Sequence, residues 1–125
     1  MFYDEFDDER HTSIWFEEGM CEYLSQKWTL AAEVYDQKRA MDALLIAHFT
    51  PYYGMFSLDD FGINSYQTPS LAAIMLNYWR SAAAVHHLVE ARYHGDVHRV
   101  FAEYVAWHNG GRQQPLTQFF GVEQF

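Results

Sequence analysis

Three prolines and seven glycines are the strong breakers in this chain of 125 residues, and between them no stretch alternates apolar and polar residues as a strand requires. Apolar residues recur instead at three- and four-residue intervals, so the predicted class is all-α. Domains commonly span about 100–150 residues, which leaves room here for one core. Residues 1–125 therefore read as a single helical domain, with an acidic connector over 1–12 and a helical bundle over 13–125.

About four main helices are expected. Thr12 and Ser13 are candidate caps of a first helix running through IWFEEGMCEYLSQKW, with Trp15, Met20, Tyr23 and Leu24 on its apolar stripe. Thr29 is placed to cap a second helix over about 30–49. Its apolar positions Leu30, Val34, Met41, Leu44, Leu45 and His48 recur near helical spacing until Pro51 stops it. The segment PYYGMFSLDDFGINSYQ lacks periodicity and reads as an ordered aromatic loop, with Ser57 and Asp60 spaced for one helical turn. Tyr52, Tyr53 and Phe56 are placed there either to fill core or to wall a cleft. Thr68-Pro69 starts a long central helix over about 69–93, and Gly95 is its first breaker. Asp96 caps a fourth helix, VHRVFAEYVAWH, which Asn109-Gly110-Gly111 ends, and Pro115 opens a short last turn closing at Gly121.

Charge narrows the functional classes. Eight Lys+Arg against seventeen Asp+Glu give a formal net charge of -9, which disfavours phosphate backbones and anionic bilayers, so neither nucleic acid nor membrane is an expected partner. No apolar run approaches the roughly 18 residues of a membrane helix, and MFYDEFDDER lacks the basic and apolar regions of a signal peptide. Cys21 is the single cysteine, which excludes an internal disulfide. With no base at helical spacing, it reads as a small buried residue and not a nucleophile.

The chemically informative string is Trp15-Phe16-Glu17-Glu18-Gly19-Met20-Cys21-Glu22-Tyr23. It resembles the W-x-x-E-G-x-A-x-Y motif of gluzincin zinc metallopeptidases, the aminopeptidase N-like group and its relatives in the peptidase MA clan. The resemblance implies that Glu18, directly before the glycine, is a zinc ligand, that Glu17 fills a variable slot, and that Cys21 replaces a small alanine. Tyr78-Trp79-Arg80-Ser81-Ala82-Ala83-Ala84-Val85 is similar to the family's Y-x-K-G-A-x-x-L segment, with Arg80 for lysine and Ser81 for glycine. Tyr78 would then donate its hydroxyl to a developing oxyanion. LVEARYHGDVHRVFAEYV and LTQFFGVE resemble the family's closing helix-turn-helix pattern, so the likeness spans about residues 13–123.

The implied reaction is hydrolysis of a peptide substrate by a zinc-activated water. In the family an H-E-x-x-H helix supplies two imidazoles and the base, and its second histidine lies further upstream than the 17 residues this chain has before Glu18. The only H-x-x-x-H here is His94-Gly95-Asp96-Val97-His98, which carries a helix-breaking glycine and no glutamate after the first histidine. It reads as a turn with solvent-facing histidines. The expectation is the helical half of a truncated catalytic unit that neither holds stoichiometric zinc nor cleaves peptides by itself.

Other readings of the same residues stay open. Glu18 also suits the first turn of a helix, where a carboxylate favours the dipole, and Tyr78 also suits a core position with its hydroxyl at the edge. Glu22, one turn beyond Glu18, is either in contact with that site or solvated. His86 and His87 are adjacent and point to different faces, which argues against a di-iron arrangement. The alternative function is a non-catalytic helical binding module, able to form a homo-oligomer through exposed cleft surface.

Overall fold

The computed structural model describes residues 13–53, 56–61 and 70–125. The acidic connector over 1–12, the Thr12 cap and the Thr68-Pro69 start signal lie outside the described residues. Among the described residues the structure is helical and has no strand, as the all-α expectation requires. Among the described residues five α-helices follow one another: α1 (Ile14–Thr29), α2 (Ala32–Tyr53), α3 (Leu71–His87), α4 (Val97–Asn109) and α5 (Leu116–Phe120). A 3-10 turn at Leu58–Asp60 precedes α3, and α3 runs on as a π-helical segment, Leu88–Arg92.

The central helix α3 packs against both α1 and α2. Its Ala82, Ala84 and Val85 are buried, and Leu88 and Val89 continue that face into the π segment. On α1 the buried residues are Trp15, Phe16, Gly19, Met20 and Tyr23, a stripe at three- and four-residue intervals. α4 adds Val100, Tyr104 and Trp107 at the same intervals, and α5 adds Leu116 and Phe120. Phe16 is the hub of this aromatic core: it stacks on Tyr104 and Phe120 and meets Trp15 and Phe101 edge-on. Much of the high aromatic content is therefore core.

The helix ends keep Ser13 at its expected position and correct two other expectations. Ser13 stands at the α1 N-cap without a capping hydrogen bond, because its hydroxyl bonds Tyr104 instead. Thr29 does not cap α2. It closes α1, donating to the Ser25 carbonyl, while Leu30 takes an extended conformation and α2 begins at Ala32. Pro51 does not stop α2, which runs to Tyr53. A proline costs a helix the bond to the carbonyl four residues back, and in a last turn that loss falls on one bond and disrupts nothing beyond it.

The buried face of α2 also departs from the sequence pattern. Val34, Met41 and Leu44 are exposed, and the buried residues are Tyr35 and Asp42. Tyr35 meets His86 and Phe49 stacks on Trp79, so α2 and α3 run antiparallel with positions 35, 42 and 49 along the contact. Asp42 is tolerated there because Lys38 and Arg39 reach it at 2.5 and 2.6 Å.

Beyond α3 the chain reverses through His94 and Gly95, both left-handed (φ 53° and 85°), and Asp96 caps α4 by accepting from the Arg99 amide at 3.0 Å. Two polar clips secure the lower end of the bundle. Asp59 accepts from the amide and hydroxyl of Thr117, tying the 3-10 turn to α5. Buried Arg80 donates to the carbonyl oxygens of Phe125 (2.7 Å) and Phe56 (2.5 Å).

Candidate functional site

The two sequence motifs meet where α1 crosses α3. Gly19 makes the crossing close: a Cβ at that position would lie 2.5 Å from the Ser81 carbonyl oxygen and 2.6 Å from Val85 Cγ2. Only glycine permits this approach. Glu18 therefore stands one residue from the contact on α1, and Tyr78 one helical turn from it on α3.

Adjacent carboxylates diverge here. Both carboxylate oxygens of Glu17 are buried, and their charge helps burial raise the Tyr104 pKa. Glu18 is half-buried, and no hydrogen bond or ion pair joins it to the described residues. Glu22 accepts from Gln26 and so is engaged one turn on. Tyr78 is partly buried against the core, with its ring edge-on to Phe61 at 5.0 Å.

Cys21 is exposed, which corrects the expectation of a buried thiol. Partial burial and the charges of Glu18, Glu17 and Glu22 push its pKa up, so the thiolate is disfavoured. His94 and His98 are both exposed around the left-handed turn, as their spacing implied. Among the described residues no three His, Cys, Asp or Glu side chains converge as a metal site. A catalytic zinc needs three protein ligands, and among the described residues no second and third ligating side chain is grouped with Glu18.

A second polar cluster was not visible in the sequence. It lies one turn beyond Gly19 along α1, where α1, α2 and the π segment converge. The Tyr23 hydroxyl donates to Glu90, Lys27 stands 3.6 Å from the same carboxylate, and the Tyr35 hydroxyl is 2.6 Å from His86 Nδ1. Lys27 also lies over the Tyr35 ring. The Tyr23 hydrogen bond, helped by Lys27, holds Glu90 below the usual carboxylate range. Burial raises both tyrosines, Tyr35 to about 12, and burial lowers His86. The available sequence signals were the four-residue spacings Tyr23/Lys27 and His86/Glu90, each of which puts two polar groups on one helix face.

Comparison with known protein families, curated proteins and solved structures yields no match to this chain.

Proposed function

We propose that this chain is the helical half of a gluzincin-like zinc metallopeptidase, contributing Glu18 as a metal ligand and Tyr78 as an oxyanion donor to peptide-bond hydrolysis. One observation carries the reading: Glu18, the residue that the motif singles out, is a half-buried carboxylate with no hydrogen-bond or ion-pair partner among the described residues, beside the Gly19–Ser81 crossing. The glycine and the tryptophan of the same motif support it, the first at the helix contact and the second fully buried beneath it. The reading requires paired imidazoles and a general base from an H-E-x-x-H helix, which these 125 residues do not contain.

The reading is tested on the protein extended upstream through its own reading frame. The expected extension encodes H-E-x-x-H, and the longer chain holds one zinc and cleaves peptides. Glu18→Gln then loses the zinc, whereas Tyr78→Phe keeps it and loses activity by about 100-fold or more. A frame without H-E-x-x-H, or full zinc retention by Glu18→Gln, overturns it.

The exposed apolar residues of α2 favour a second reading, a helical module that associates with itself. Val34, Met41 and Leu44 are 46, 54 and 68 % exposed on one helix. Sedimentation velocity of the chain is expected to show a concentration-dependent mass that Leu44→Glu abolishes. A strict monomer removes this reading.

A further inference from the structure

A cleft of about 490 Å³ opens between α2 and α3, a size within the roughly 300–1,000 Å³ of small-molecule sites. Alanines keep it open: Ala43 and Ala47 on α2 face Ala83 on α3 and Ala91 beyond it, where larger side chains would fill the space. Because the helices are antiparallel, the cleft has unlike ends. Arg39 lies toward the end where Tyr35 meets His86, whereas Ala43 and Ala47 lie one and two turns along toward the Phe49–Trp79 stack. From Arg39 to Ala47 is about 12 Å of helix.

The polar end presents N–H donors. Arg39 spends Nη2 on Asp42 and on Gln26, and its Nη1 has no partner among the described residues. The Tyr35 hydroxyl meets His86 Nδ1 at 2.6 Å; in the tautomer whose Nδ1 accepts from it, the ring proton lies on Nε2, which has no partner among the described residues. Glu90 lines the same cleft, but its charge is already engaged by Tyr23 and Lys27. Arg39, which shares its charge with Asp42 but keeps Nη1 for another acceptor, and the His86 ring at one end of an apolar trough suit an acidic acceptor on an apolar body.

We propose that this cleft binds a monocarboxylate with a medium-length apolar chain, the carboxylate accepting from Arg39 and His86 and the chain lying along Ala43, Ala47 and Ala83. The site is separate from Glu18 and Tyr78, and it stands or falls independently of the peptidase reading. A chain of net charge -9 attracts cations unspecifically, so a preference for the anion reports these donors directly.

Calorimetric titration of the whole chain with sodium octanoate, octylammonium and acetate, near neutral pH, tests it. Octanoate is expected to bind once per chain with a Kd below about 1 mM, and the other two at least about tenfold more weakly. Ala43→Phe and Ala47→Leu, both at exposed helix positions, are expected to weaken octanoate by about tenfold or more with unchanged circular dichroism. Octylammonium binding as tightly as octanoate, no octanoate binding, or full affinity in both folded variants overturns the proposal.

Discussion

Glu17 and Glu18 are neighbours in sequence and opposites in environment. A helix turns about 100° per residue, so one carboxylate is driven under Tyr104 while the next is left at the edge of the crossing. The motif string distinguishes them because steric demands fix it: a tryptophan to bury and a glycine to admit the neighbouring backbone. The Tyr35–His86 contact left no such mark, since it joins residues 51 apart and depends on how α2 is rotated. His86 nonetheless makes a pH prediction. Burial lowers its pKa in the folded chain below the ordinary value of 6.5, so the unfolded chain binds the proton first and stability falls as pH drops through about 6.5. The melting temperature is expected to decrease from about pH 7 to about pH 5, and His86→Gln to decrease less over the same window. Glu90, with its pKa held down, adds a further loss as pH falls below its ordinary value of 4.5.

At the level of elements, the α1–α3 contact depends on a missing side chain. Gly19→Ala would set a Cβ against a backbone carbonyl that cannot swing away, unlike the end of a flexible side chain. Denaturant unfolding is expected to show a loss of about 1–3 kcal/mol, although alanine is the better helix former. Equal stability would mean that the two helices separate freely. Asp96→Ala removes the carboxylate cap of α4 and is expected to cost about 1 kcal/mol in the same assay. Caps such as Asp96 were legible because one residue and its near neighbours determine them. The burial of α2 was not. Its apolar residues recur over more than one face, and the face chosen is the one that stacks Phe49 on Trp79 and Tyr35 on His86. A charge pattern alone would have sent Asp42 to solvent; Lys38 and Arg39, within one turn, make its burial tolerable. Pro51 misled for a related reason, because its penalty depends on how much helix follows it.

For the molecule as a whole, the helices differ in how firmly they are held. α2 commits only Tyr35 and Asp42 to the interior, whereas α3 is buried against neighbours along most of its length. Amides of α2 are accordingly expected to exchange with deuterium at least about tenfold faster than those of α3, and comparable rates would contradict this ranking. The other end of the bundle behaves differently because of Arg80. One guanidinium grips Phe56 and Phe125, segments far apart in the chain, and burial lowers its own pKa. Lifting either segment would strand part of a cation in the interior, so each latches the other. The segment at Phe56 and the C-terminal residue Phe125 are then expected to release together.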